Sequence, residues 1–274
     1  MDMRRKALDV LRETSRTFFI PINGLPAGLK EAVASAYLCM RAIDEVEDHP
    51  TLDNTYKVQV LQTISLTLQA TADGHHLNNM ALAINAHQIP VPLPEVTLRV
   101  GEWALLAPPA IAPRIWDATA AMADRMAYWS SCNWTIRTEA DLDRYTFSVA
   151  GSVGLLLSDL WAWYDGTQTD RALAVGFGRG LQAVNILRNS GEDRLRGVGF
   201  FPDGWTTEDM HAYAAKNLRM ADDYTASLPP GPALNFCRIP LTLAHATLDA
   251  LRRGQAKLSR TQVMAMVAQL IAQR

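Results

Sequence analysis

Residues 28–48, GLKEAVASAYLCMRAIDEVED, decide the fold class. Apolar residues recur there at spacings of three and four, and the alternation of a half-buried strand is missing, so the segment reads as a helix. One line of polar side chains crosses it: Tyr37, Arg41, Asp44 and Asp48, all on one helical face. Like-charged carboxylates one turn apart repel unless a cation sits between them. Hard oxygen donors on a rigid helix suit Mg²⁺, above all when substrate phosphates complete its shell. Taken alone, the cluster would equally suit a solvated acidic helix end before the His49-Pro50 turn.

Working outward, the same periodicity recurs over 54–72, 95–107, 114–131, 139–163, 170–189, 206–226 and 233–254. Breakers separate these stretches: Asn23 to Pro26, Asp73-Gly74, Pro90 to Pro94, Pro108-Pro109, Asp165-Gly166 and Leu228 to Pro232. Asp141 and Asp170 are expected to be helix N-caps. No repeat, low-complexity tract or long linker divides the chain. The expectation is a single all-α domain over residues 1–274.

A second polar line lies in Gln182-Ala-Val-Asn185-Ile-Leu-Arg-Asn189-Ser-Gly-Glu-Asp193. Gln182, Asn185, Asn189 and Asp193 share one face of an apolar helix. An unsatisfied buried amide costs roughly 1–3 kcal/mol, so these side chains need partners. Mg²⁺ with ordered water would supply them, and so would hydrogen bonds between helices. Two separate oxygen stripes in one helical bundle favour the metal reading, because bundle cores are where such sites are built.

Three segments resemble the squalene/phytoene synthase family. TSRTFFIPINGLPAGLKEAVASAYLCMRAIDEVED is similar to its N-terminal motif, a Ser-basic-Ser/Thr-Phe element followed by a Leu-Pro turn and a helix ending in DxxxD. RYTFSVAGSVGLLL is similar to its Tyr-x-Tyr-x-Val-Ala-Gly helix. QAVNILRNSGEDRLRGVGFFP is similar to its second metal motif, Asn-Ile-Leu-Arg-Asp-x-Gly-Glu-Asp, and the loop beyond. The three follow family order across residues 14–202. The resemblance implies an isoprenoid-synthase fold: antiparallel helices around a deep apolar cavity, with the two acidic motifs facing each other at its mouth.

It also implies a Mg²⁺-dependent prenyltransferase acting on an allylic prenyl diphosphate and a small-molecule acceptor. Asp44, Asp48, Asn185, Asn189 and Asp193 are the expected metal ligands. Arg41, Arg188 and Arg16 are expected to clamp the diphosphate, with Ser15 beside them. Tyr37, Tyr145 and Phe147 are expected to line the prenyl pocket and to offer π faces to a carbocation, with Gln182 and His245 as further substrate contacts.

Departures from the family pattern bear on the acceptor. Asn189 replaces the first aspartate of the second motif, Thr14 stands where many relatives have His, and Phe147 replaces the second Tyr of Tyr-x-Tyr. Val198, Gly199 and Phe200 replace Arg-hydrophobic-Tyr, and His245 stands where relatives place Tyr. These losses favour a single diphosphate donor with a non-diphosphate acceptor such as an aromatic ring, a reading that Trp103, Trp129, Trp134, Trp161 and Trp163 do not contradict. Head-to-head joining of two prenyl diphosphates is the first alternative, and a non-catalytic assembly or binding subunit the second. No reductive step with NADPH is predicted, and no spacing encodes chain length, product stereochemistry or oligomeric state.

Composition bounds the rest. The 274 residues, 49% of them hydrophobic, are ample for a large core. A formal net charge of −2 without a basic stripe argues against nucleic acid as a partner. Three isolated cysteines, Cys39, Cys132 and Cys237, fit neither a disulfide framework nor a CxxC site, so a reducing cytoplasm is expected. No uncharged run reaches the ~20 residues of a spanning helix, which leaves peripheral membrane association open. Gly176-Phe-Gly-Arg-Gly180 lacks the preceding strand of a phosphate loop and reads as close helix packing or space for a substrate chain. His75-His76 reads as a solvated loop.

Overall fold

The computed structural model is all-α; it describes residues 3–15, 17–70, 74–195, 197–255 and 257–272, the side chains of 194 and 195 excepted, and no strand forms among them. The chain divides into two compact units, Met1–Asn133 and Trp134–Arg274. Two consecutive left-handed residues, Asn133 (φ 52°) and Trp134 (φ 49°), turn the chain at that division.

The first unit holds α1 (Met3–Thr14), α2 (Phe19–Asn23), α3 (Leu29–Glu47), α4 (Asn54–Gln69), a 3₁₀ turn (His75–Asn79), α5 (Met80–Asn85), α6 (Glu95–Leu98), α7 (Val100–Leu105) and α8 (Ala112–Ser131). Helix α3 is its axis, packed against α1, α4, α6, α7 and α8. Its apolar positions, among them Leu29, Leu38, Ile43 and Val46, are fully shielded from solvent. Buried hydroxyls fix its neighbours: Ser35 donates to the Trp103 carbonyl at 2.7 Å, and Thr97 to that of Ala42 at 3.0 Å. The single helix expected over 95–107 is instead two short ones. At the break, Arg99 pairs with Glu95 at 3.1 Å and Glu102 at 2.8 Å, and lies 4.4 Å over the Trp103 ring. His75 and His76 are exposed, in keeping with the sequence reading.

The second unit holds α9 (Glu139–Thr146), a π-helical turn (Phe147–Gly151), α10 (Ser152–Asp165), α11 (Arg171–Leu195), α12 (Thr207–Ser227), α13 (Pro232–Arg252) and α14 (Arg260–Ala272). Helix α11 packs against α10, α12 and α13. Its glycines do the close packing that the sequence suggests: Gly176 and Gly180 face Met220 and Leu218 of α12, while Gly178 meets the Ala150 backbone. The continuous helix expected over 139–163 is interrupted by the π turn, a feature often found at functional sites.

Asp170 caps α11 as expected, accepting from the Ala172 and Leu173 amides at 2.8 and 3.0 Å. Asp141 does not cap α9. Thr138 does, in a capping box in which its hydroxyl accepts from the Asp141 amide and Asp141 answers to the Thr138 amide. Thr138→Ala is therefore expected to destabilise the protein by about 1 kcal/mol. The bond from Thr138, then Arg144 and the Arg137 amide, lower the Asp141 pKa from 3.8 to about 2. A depressed carboxylate adds stability above its unfolded value and loses it on acidification. The melting temperatures of wild type and Asp141→Ala should thus converge as pH falls from 3.8 towards 2. A gap that stays constant over that range would refute the assignment.

Candidate active site

In the first unit, α3 gathers four of the expected residues. Tyr37, Arg41 and Asp44 are half-buried along it, and Asp48, its C-cap, is exposed with its amide bonded to the Asp44 carbonyl at 2.8 Å. Burial raises the Asp44 pKa to about 7; Arg41 opposes that shift, while Asp48 and Glu45 add to it. A carboxyl held against its own ionisation is one that a cation would relieve.

Arg41 pairs with Glu45, one turn on, and its Nε is buried without a hydrogen-bond partner. Burial disfavours its charge, yet Asp44 and Glu45 outweigh that and hold its pKa up. Tyr37 is kept protonated chiefly by burial, with Ser15 close enough to oppose the shift. Ser15 is itself buried, and its hydroxyl lacks hydrogen-bond geometry to any partner. Phe18 closes the other side, its ring 5.9 Å from that of Tyr37. Ser15, Tyr37, Arg41 and Asp44 thus come together, with two buried polar groups left unsatisfied. Arg16 lies outside the described residues. Thr14 is used locally, donating to the Val10 carbonyl at 2.8 Å.

In the second unit, α11 carries the other stripe. Gln182, Asn185 and Asn189 are half-buried and Asp193 is 8% exposed. Asn185 donates to Gln182 at 3.5 Å, a long bond, and exposed Arg188 donates to the Asn189 side-chain oxygen at 3.2 Å. Asp193 borders a cavity of about 110 Å³ with Ile186, Ser190, Val198, Gly199, Phe200 and Phe201. Tyr145, buried on α9, stacks on Phe200 with ring centres 4.7 Å apart. Expected residues from α9 and α11 therefore meet around Phe200. Phe147 is half-buried on the π turn. The His245 ring lies 2.8 Å from the Asp222 carboxylate across α12 and α13, a hydrogen bond that the sequence did not suggest.

The sequence also missed what fixes α9. Tyr213 of α12 donates to Asp143 at 2.7 Å and lies 3.1 Å from the Thr146 hydroxyl, while Arg179 of α11 donates to the Asp143 carbonyl at 3.0 Å. These partners lie 36 to 70 residues apart in sequence, so no local spacing announces them. A depression of the first unit, about 380 Å³, is lined by Asn85, Gln88, Leu98 and the Ile89–Leu93 loop and by none of the candidate residues.

Among the described residues, no three His, Cys, Asp or Glu side chains converge as a metal cage. Two of the three cysteines, Cys39 and Cys237, are buried, and burial pushes the Cys39 thiol up to about 12. No helix among the described residues is long and apolar enough to cross a membrane.

A family model described as squalene/phytoene synthase matches residues 11–212. The squalene synthase of Schizosaccharomyces pombe is 30% identical over 91% of this chain and 60% of its own. That of Dictyostelium discoideum is 28% identical over 88% of this chain and 62% of its own. The chain thus spans about three fifths of the length of these relatives. Among solved structures, TcSQS in complex with the ligand E5700 superposes with a TM-score of 0.79 at 23% identity, covering 97% of this chain and 85% of that one. A dehydrosqualene synthase in complex with ligand does so with a TM-score of 0.65 at 16% identity, covering 98% and 95%. Both share the all-helical isoprenoid-synthase fold.

Proposed function

Since this chain belongs to the squalene/phytoene synthase family, we propose that it is a Mg²⁺-dependent prenyltransferase joining two prenyl diphosphates head to head. The observation that carries this reading is the span of the family match. Residues 11–212 include both oxygen stripes and run across the division between the two units, which supports the reading of the chain as one catalytic domain. The relatives named above support the acceptor, since they are called squalene synthases and a dehydrosqualene synthase.

This replaces the aromatic acceptor favoured by the sequence departures. Three of the five tryptophans named for that acceptor lend it no support: Trp103, Trp129 and Trp161 are at most 3% exposed and serve the core. Asn189 keeps an oxygen donor where its family has a carboxylate, so the departure weakens a ligand without removing it.

Asp44, Asp48, Asn185, Asn189 and Asp193 would hold Mg²⁺, which when bound neutralises the diphosphate charge. Arg41 brings a buried N–H that lacks a protein acceptor and fits a diphosphate oxygen. Tyr37 and Ser15, both protonated, extend that donor set. The Tyr145–Phe200 stack excludes water and presents π faces to the allylic cation formed as diphosphate leaves.

The test is incubation with C15 or C20 prenyl diphosphate as sole organic substrate, with Mg²⁺, with and without NADPH, followed by mass analysis. A C30 or C40 hydrocarbon with diphosphate release is expected. Consumption of the donor only when an aromatic acceptor is added would restore the other reading, and no Mg²⁺-dependent diphosphate release at all would leave a binding subunit.

A further inference from the structure

The segment Gly176-Phe-Gly-Arg-Gly180, read from sequence as close packing, also carries a charge that the proposed chemistry does not use. Gly178 brings α11 onto the Ala150 backbone of the π turn, and Gly180 brings it onto Asn217 and Leu218 of α12. Between these two approaches stands Arg179, its side chain only 25% exposed. Among the described residues its buried Nε has no hydrogen-bond partner. Taking a charge out of water is costly, so packing alone would favour an apolar side chain there.

Arg179 is turned toward α9. It donates to the Asp143 carbonyl at 3.0 Å and lies 3.7 Å from the Asp143 carboxylate. The same carboxylate accepts from the Tyr213 hydroxyl of α12 at 2.7 Å, and that hydroxyl lies 3.1 Å from Thr146. Tyr213 is 4% exposed and burial raises its pKa, so it stays a donor. Two helices thus grip α9 at Asp143 and Thr146, on either side of Tyr145 in sequence.

The grip falls where the helix changes form. The carbonyls of Leu142, Asp143 and Arg144 each take a side-chain donor, Thr146 at 2.8 Å, Arg179 at 3.0 Å and Ser148 at 2.7 Å, and the π turn starts at Phe147. Hydroxyls bonded back to the preceding turn bend a helix and weaken it slightly. Arg179 and Tyr213 hold from outside what those bonds loosen within. Tyr145, in the last turn of α9, stacks on Phe200, which lines the cavity beside Asp193.

We propose that Arg179 and Tyr213 are positioning residues: through Asp143 they hold Tyr145 against Phe200, so that the stack is in place before the allylic cation forms. This rests on the role proposed above for that stack.

The test compares Arg179→Met and Tyr213→Phe with Lys216→Met, which breaks an exposed 3.5 Å pair between Lys216 of α12 and Glu139 of α9. Hydrogen exchange at the amides of 147–151 is read by mass spectrometry. Diphosphate release from C15 or C20 prenyl diphosphate is read by kinetics, both below the melting transition. In the first two variants those amides should exchange about tenfold faster or more, as one lost hydrogen bond to a charged group predicts. Exchange in α3 and α13 should not change. The kcat should fall about 10- to 100-fold, the scale of a displaced active-site group. KM should stay within about twofold, because the oxygen stripes that bind diphosphate are untouched. Lys216→Met should alter neither, since exposed pairs contribute little. Unchanged exchange at 147–151, or faster exchange over the whole chain, would overturn the proposal. So would a raised KM with kcat unchanged, which would make these residues part of substrate binding. Exchange needs no turnover, so it judges the grip on α9 even if wild type releases no diphosphate, an outcome that would count against the catalytic reading alone.

Discussion

Asp44→Ala is expected to lower kcat/KM by about 10²- to 10³-fold, the size of effect seen when one preorganised stabiliser of transition-state charge is removed, while the fold is retained or gains stability. The second half separates a ligand from a structural residue. Burial lifts the Asp44 pKa from 3.8 to about 7, with Arg41 opposing and Asp48 and Glu45 adding. Between those values the folded chain holds a proton that the unfolded chain has released. The metal-free fold therefore loses stability as pH rises through this window, and above it an ionised Asp44 weighs against folding. Alanine removes that burden, so at pH 8 the melting temperature of the metal-free variant should equal or exceed that of wild type.

Asp48→Ala and Asp193→Ala should lose activity on the same scale, measured as diphosphate release at saturating Mg²⁺. Near-wild-type rates in any two of the three variants would remove the metal reading. A marked fall in melting temperature for Asp44→Ala would make that residue structural.

What the sequence disclosed and what it hid follow one physical division. Helical periodicity is local, so the stretches holding α3, α4, α8, α11, α12 and α13 were legible, and so were both oxygen stripes, whose members lie one turn apart. Hidden features depend on partners far along the chain. The break at Arg99 and the π turn at Phe147–Gly151 divide stretches whose apolar spacing is unbroken. The Thr146–Tyr213 contact joins residues 67 apart, and the pairing of His245 with Asp222 joins 23. The cap of α9 was misjudged by three residues, because Thr138 and Asp141 form a reciprocal pair in which either could be the cap. At the candidate site, Arg41 was expected to serve the diphosphate alone. Its ion pair with Glu45 lay within the same quoted segment, at a spacing that favours such pairs.

Gly178→Ala is expected to destabilise the protein by about 1–3 kcal/mol, the usual range for overpacking, although alanine is the better helix former. An added Cβ at Gly178 would stand 2.1 Å from the Ala150 carbonyl oxygen and 2.8 Å from the Gly151 amide nitrogen. Both are backbone atoms, so no side-chain rotation relieves the overlap, and α11 must move away from the π turn. Gly154 makes the reciprocal approach, 2.1 Å from the Ala174 carbonyl oxygen. Gly191 is the control on the same helix: nothing lies within 4 Å of its added Cβ, so only propensity acts. Gly191→Ala should therefore stabilise the protein by about 0.8–1.0 kcal/mol. Near this chain length each kcal/mol moves the melting temperature by roughly 2–4 °C, so the two alanines should shift it in opposite directions and be resolved by calorimetry. The displaced segment includes Phe147 and begins two residues after Tyr145, so Gly178→Ala should also lower kcat at temperatures where the variant is still folded. A rise in melting temperature for both variants would mean that α11 and the π turn do not touch at Gly178.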